Sequence, residues 1–353
     1  MNDSPYEALS MRLGFPDSAH LWKILELLLT QEEASVAASL PGGPGDVAQK
    51  LGIPQDRAKD ILEGLWQKGA AFPKNFQKRD TYRFARDLIQ LHDATLASKH
   101  FDLGKNREYT KAWHTFGMEE FYVKMGNLLP QIFSKPIWRV IPAWDAIKDL
   151  EGIEPYENIR TMVDAQDALA VVPCSCRVVK SGVDEPCRFT DEQGTWHCVQ
   201  FAKGANYVTA RDSGKVLTKE EAFDLMQKAA KDGLMHMGPN TKDLNPNTIC
   251  NCCEDCCEFF GFYKVGNVPP EALTAKSRFR AYVNEASCKG CQDCIDRCAF
   301  GAIELIRPQG SKKYKASVDE EKCFGCGVCL VGCTYDAMRF KPIMPSDKLA
   351  FMD

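Results

Sequence analysis

The feature that most restricts this chain is a repeated thiol spacing. Cys288-x2-Cys291-x2-Cys294-x3-Cys298 recurs 35 residues later as Cys323-x2-Cys326-x2-Cys329-x3-Cys333, and each copy runs into a short apolar continuation, Gly301-Ala302-Ile303 and Asp336-Ala337-Met338. Two complete copies with matching gaps do not follow from composition, so this segment must fold to deliver eight thiols to fixed places. All 17 cysteines lie at or after Cys174. A secreted disulfide scaffold would use cysteine this densely. Against it, the N-terminal run Met1 to Glu7 has neither the basic start nor the apolar stretch of a signal peptide, and the cysteine count is odd. We read the cysteines as metal-bound thiolates in a reducing cytoplasm.

The duplicated spacing resembles the bacterial dicluster ferredoxin, and that resemblance implies the ligand sets. Three thiolates two residues apart wrap one [4Fe–4S] cube, and the fourth crosses to the other cube. Cys288, Cys291, Cys294 and Cys333 are then expected on one cluster, and Cys323, Cys326, Cys329 and Cys298 on the second. Two zinc sites are the alternative, but zinc does not call for this crossing. Short strands at Ala281-Tyr282-Val283 and Ala316-Ser317-Val318 are expected before each loop. Proline normally follows the fourth cysteine; Ala299 and Thr334 stand there instead, each adding a backbone N–H that can donate to cluster sulfur. Gly290, Gly325 and Gly327 let the backbone approach the sulfurs.

The other nine cysteines form a looser pattern. A buried strand, Ala168 to Val172, leads into Pro173-Cys174-Ser175-Cys176-Arg177; Cys187 and Cys198 follow. Thr218-Lys219-Glu220-Glu221 is a capping box opening a helix that Gly233 ends, and the block closes on Cys250-Asn251-Cys252-Cys253-Glu254-Asp255-Cys256-Cys257. The Cys-x-Cys-Arg entry, the Gly-Leu-Met-His turn and this exit resemble a family of cytoplasmic iron–sulfur proteins from strict anaerobes. In that family a winged-helix-like region and a cysteine-rich domain precede a dicluster ferredoxin. Nine thiols exceed the four that one centre needs. The simplest third centre, Fe–S or zinc, uses Cys174, Cys176, Cys187 and Cys198. Cys250, Cys252, Cys253, Cys256 and Cys257 then supply a second centre or a reactive thiol/disulfide pair; mixed sets remain open. Were that run helical, Cys252/Cys256 and Cys253/Cys257 would pair at i,i+4. His197 and His236 are candidate ligands or proton donors whose plainer reading is structural, as it is for His20, His92, His100 and His114.

The first hundred residues read as helices. Leu21 to Leu29 has helical apolar spacing, Pro41 to Gly45 breaks the chain, and the helix from Pro54 to Lys68 ends at Gly69. With a hairpin between Ala70 and Phe84, this resembles winged helix-turn-helix domains of bacterial regulators. Asp56, Asp60 and Glu63 on the would-be recognition helix have the wrong sign for DNA, and the chain's 44 basic against 48 acidic residues offer no general attraction to it. The basic wing, Lys74, Lys78, Arg79, Arg83 and Arg86, reads equally as a solvated face, so protein docking is preferred over DNA. The aromatics Trp113, Phe116, Phe121, Tyr122, Phe133, Trp138 and Trp144 are expected to pack the first block onto the second or to form a homodimer surface. No apolar run is long enough to span a membrane, and no glycine motif makes a nucleotide cradle.

The expected fold is α+β and multidomain. A winged-helix-like domain occupies 1–98, an aromatic-rich helical connector 99–155, a cysteine-rich α/β metal-binding domain 156–265, and a 2[4Fe-4S] ferredoxin domain 266–353. The expected function is iron–sulfur electron transfer in anaerobic metabolism, through two [4Fe–4S] clusters to a further centre and to a redox partner docked on the N-terminal half. The alternatives are a redox-sensing winged-helix regulator and an oxidoreductase with substrate at the central cluster.

Overall fold

The computed structural model describes residues 4–189, 195–309 and 313–352. The chain is mixed α+β and divides into two compact units. Unit 1 comprises Met1–Phe121, Val172–Trp196 and Tyr207–Lys215; unit 2 comprises Tyr122–Val171, His197–Asn206 and Val216–Asp353. These bounds differ from the sequence blocks, because block 156–265 is shared between the units. The reason is strand pairing: Leu169–Pro173 and Trp196–Phe201 belong to one sheet, while most of the chain between them belongs to unit 1.

In unit 1, Ser18 caps the helix Ala19–Leu28 by accepting a hydrogen bond from Leu21 N at 3.0 Å, and Leu21, Ile24 and Leu25 are buried. Helices Pro44–Leu51 and Gln55–Lys68 meet at Gly52, which holds φ +66. The strands Ala71–Pro73 and Tyr82–Phe84 then pair antiparallel, Ala71 opposite Phe84. Glu63 accepts from the Tyr82 hydroxyl at 2.6 Å and pairs with Arg79 at 3.3 Å, so one acid of the helix is engaged by the hairpin beside it. The aromatic stretch is not a single packing surface. Trp113, Phe116 and Phe121 pack within unit 1, where Phe116 meets Phe15 at 5.1 Å and Trp113 meets His92 at 4.9 Å. Trp138 and Trp144 pack within unit 2, on Phe259 and Phe223.

Unit 2 is built on a mixed sheet in the order Lys215–Val216, Leu169–Pro173, Trp196–Phe201, Thr248–Cys252, Met235–Pro239, Trp138–Ile141, Thr274–Ala275. Ile141, Leu169, Val199, Phe201 and Ile249 bury one face against Phe223 and Met226 of the helix Lys219–Asp232. That helix starts at the expected capping box. Thr218 Oγ1 accepts from Glu221 N at 3.2 Å, the Glu221 carboxylate accepts from Thr218 N at 2.8 Å, and Gly233 closes the helix at φ +104.

The C-terminal segment adds two antiparallel ribbons, Phe279–Val283 with Met338–Pro342 and Ile303–Ile306 with Lys315–Val318. The expected strands before each cysteine loop are therefore present. The expected linker at Gly266 to Pro270 is packed instead: Val268 is buried, and its methyl lies against Gly126. A buried ion pair fastens the first ribbon to the rest of unit 2. Arg278 donates through Nε and Nη2 to Glu157 at 2.8 and 3.0 Å, and both side chains are buried. Breaking such a pair leaves one charge buried without its counter-charge. Arg278→Ala is therefore expected to destabilise the protein by about 3–5 kcal/mol in denaturant unfolding, whereas Arg278→Leu combined with Glu157→Leu should cost clearly less.

Candidate metal centres

The two cysteine loops are copies in backbone as well as in sequence. Gly290 and Gly325 both have φ +69; Gln292 and Gly327 both have φ +79; Gly301 and Asp336 are also left-handed, at φ +63 and +48. Each pair is separated by the 35-residue repeat. The left-handed turns let three thiols and several backbone amides face one point. Short helices follow, Asp293–Asp296 and Val328–Val331.

Cys288, Cys291, Cys294 and Cys333 line one cavity, together with Lys289, Gly290, Ala316 and Met338. Burial pushes the Cys294 thiol up to about 11, and its neighbours Cys291, Cys288 and Cys333 add to the effect. Burial likewise pushes Cys326 up to about 12, with Cys298 and Cys323 as the adjacent thiols, and raises Cys329 beside Cys326, Cys323 and Cys298. The structure thus brings the fourth cysteine of each copy to the first three of the other. Iron binding at these thiols must expel their protons, so loading is favoured by rising pH.

Backbone N–H groups already point at the sulfurs. Ala302 N donates to Cys298 Sγ at 3.2 Å, Ala337 N to Cys333 Sγ at 3.3 Å, and Ala316 N to Cys288 Sγ at 3.4 Å. Thiol quartets with amide donors fit [4Fe–4S] clusters. Among the described residues these eight form no group with three donor atoms within 4.8 Å of one another, the closeness that a single ion would need. Cys291 is the exposed member of the eight.

Residues 287–337 match the 4Fe-4S dicluster domain family, a span that holds all eight of these cysteines. Such a domain implies iron–sulfur electron transfer. The chain as a whole matches no curated protein.

The nine remaining cysteines are shared between the two units. Cys174, Cys176 and Cys187 lie in unit 1 and Cys198 in unit 2. In unit 1, Cys174 precedes the helix Ser175–Gly182, and the buried Arg177 donates from Nε to Cys187 Sγ at 3.2 Å. In unit 2, Cys198 stands opposite Cys250 across the sheet, and its sulfur accepts from Gln200 Nε2 at 3.1 Å. Cys252 ends the strand Thr248–Cys252, opposite Met235.

The run Cys252 to Cys257 is not helical, so the i,i+4 pairs do not form. Strand pairing holds Cys252 extended, a turn occupies 254–256, and the next helix, Glu258–Lys264, begins only after Cys257. Neighbouring thiols consequently separate into two sets. Cys252 and Cys257 approach at 3.6 Å between sulfurs. Cys253, Asp255 and Cys256 place their ligand atoms within 4.8 Å of one another. Tetrahedral zinc with Zn–S near 2.3 Å sets its thiolates about 3.8 Å apart, so this second set has the spacing of a single ion. Asp255 was missed by counting cysteines; a carboxylate between two cysteines in one turn is the signal that names it.

His236 is structural in its contacts. His236 Nδ1 bonds Asn251 Oδ1 at 2.7 Å, and Asn251 Nδ2 donates to the His197 carbonyl at 2.8 Å. Burial lowers His236 to about 4, so its imidazole is neutral.

The loop geometry yields a direct check. A Cβ on Gly325 would collide with Ser277 Oγ and the Phe279 carbonyl at a left-handed backbone, whereas one on Gly45 meets nothing. Gly325→Ala is expected to lose iron and to lower the melting temperature; Gly45→Ala should leave both unchanged.

Proposed function

We propose that this protein relays single electrons through two [4Fe–4S] clusters, one on Cys288, Cys291, Cys294 and Cys333 and the other on Cys323, Cys326, Cys329 and Cys298, to a further metal centre in the cysteine-rich region and to a partner protein. The observation that carries the reading is the cavity lined by one complete crossed quartet. The bound clusters supply one-electron, low-potential redox chemistry. The chain's own part is to hold the thiolates, aim amides at the sulfurs and bury the second loop. Cys253, Asp255 and Cys256 are the proposed start of the further centre, as iron–sulfur or zinc, with Cys252 and Cys257 outside it.

The N-terminal helices and hairpin are read as a winged-helix-like docking module for a redox partner rather than for DNA. Asp56 and Asp60 are exposed on the helix Gln55–Lys68, and Arg57 and Arg79 are paired with Glu32 and Glu63. Such a face repels phosphate. Among the described residues no helix is long and apolar enough to cross a membrane. An anaerobic, cytoplasmic setting suits clusters of this kind.

One observation favours a reductase as the second reading. A cavity of about 290 Å³ in unit 2 is lined by Arg139, Ser277, Arg280 and Phe351 among others. Ser277 donates to the Gly325 carbonyl of the second cysteine loop at 2.7 Å, so the cavity lies beside that loop. Arg139 and Arg280 would pair with a small organic anion there, against Glu157 and Glu271, which also line the cavity. A low-temperature electron paramagnetic resonance signal that shifts on adding small carboxylates, and fails to shift in Arg139→Met, would support this reading; a signal indifferent to every carboxylate would oppose it.

Anaerobic purification tests the main reading. Brown protein with about eight irons and matching sulfide per chain is expected, with additional metal for the further centre. Colourless protein carrying stoichiometric zinc would sink it. The crossing has its own signature: Cys291→Ala with Cys333→Ala should remove about four irons, because both serve one cluster, while Cys291→Ala with Cys298→Ala should remove about eight.

A further inference from the structure

Cys252 and Cys257 are left over by the ligand sets above. Their sulfurs are 3.6 Å apart, both side chains are buried, and Cys252 also bonds the Cys250 thiol. They belong to no group of three donors at single-ion spacing among the described residues. Two or three thiols make a poor metal site, since structural ions take four ligands. Two thiols in contact make a good redox pair.

What surrounds them decides the chemistry. Cys252 and Cys257 share one apolar cluster with Met235, Met237, Phe260 and Val328, and Phe300 and Cys326 pack against it. Val328 and Cys326 belong to the second cysteine loop; Phe300 follows Cys298, the thiol that crosses to it. The loop is held there by a hydrogen bond from Ala143 N to the Cys326 carbonyl at 2.9 Å. Phe300 meets Phe260 at 5.4 Å and stacks on Phe324 at 3.8 Å, filling the space beside the pair. A cluster held by that loop is thus separated from the two sulfurs by packed side chains of the same unit.

We propose that Cys252 and Cys257 form a reversible disulfide that accepts two electrons, one at a time, from the ferredoxin-type clusters. On reduction the Cys252–Cys257 S–S bond breaks and each sulfur gains one electron and takes one proton from solvent; the two electrons are those that two reduced clusters, one electron from each, would supply when bound. When an acceptor disulfide of the partner oxidises the pair, the Cys252–Cys257 bond forms again, and the two electrons and two protons pass to the partner's disulfide, whose S–S bond breaks to two thiols. The pair converts a one-electron relay into a two-electron donor, a role that rests on the cluster reading of the preceding section.

The test uses the full chain purified anaerobically with its clusters. After mild oxidation with diamide, differential alkylation and mass spectrometry should place one disulfide on Cys252 and Cys257, with iron unchanged. Reduced methyl viologen should then restore both thiols. In Cys252→Ser and Cys257→Ser the oxidisable pair should vanish while iron and other metals stay at wild-type levels. In Cys329→Ala, which removes a ligand of the second cluster, the disulfide should still form but no longer be reduced by viologen within the time the parent protein needs. The proposal is overturned if the parent protein shows no such disulfide with its iron intact, if either serine variant loses metal, or if viologen reduces the disulfide equally well without the second cluster. Parent protein lacking iron would instead defeat the cluster reading, which metal analysis before oxidation detects.

Discussion

The hydrogen bond from Ala143 N to the Cys326 carbonyl, reinforced by Ser277 Oγ on the Gly325 carbonyl, fixes the second cysteine loop to the body of unit 2. Much of that unit depends on the attachment. Gly327 lies so close to Ala146 that a Cβ would stand 2.6 Å from the Ala146 methyl, and Val328 completes the apolar cluster around Cys252 and Cys257. A free-standing dicluster domain would expose both loops to water. Here the second loop is inside and the first, with exposed Cys291, faces outward.

The buried thiols impose a second constraint. A thiolate in an apolar interior is costly, which is why Cys294, Cys326 and Cys329 are all pushed up. The cost is offset when a metal takes the charge and backbone amides solvate the sulfur. Ala302 and Ala337 perform that solvation at equivalent places in the two copies. Metal bound at these quartets would therefore favour the folded state.

The region between Cys250 and Cys257 shows how strand geometry sorts chemistry. Successive residues of a strand point to opposite faces. Cys250 and Cys252 take one face, while Asn251 turns to His236 and the His197 carbonyl on the other. The turn that follows returns Cys257 to Cys252 and gathers Cys253, Asp255 and Cys256 separately. Adjacent cysteines are thereby sorted into two separate sets.

The sequence by itself determined whatever depends on local spacing. The duplicated ladder of eight cysteines, the left-handed positions at Gly290, Gly325 and Gly327, the capping box at Thr218 and the helix ending at Gly69 all involve residues a few places apart, where backbone geometry leaves few choices. It also placed the strands flanking each cysteine loop. Tertiary structure alone decided the rest. The split of block 156–265 between two units and the strand rather than helix at Cys252 were not legible, because each is set by pairing with Met235–Pro239 or Trp196–Phe201, outside the cysteine run. Those strands follow the burial of a shared sheet, and no spacing within the cysteine run encodes which distant strand will claim it.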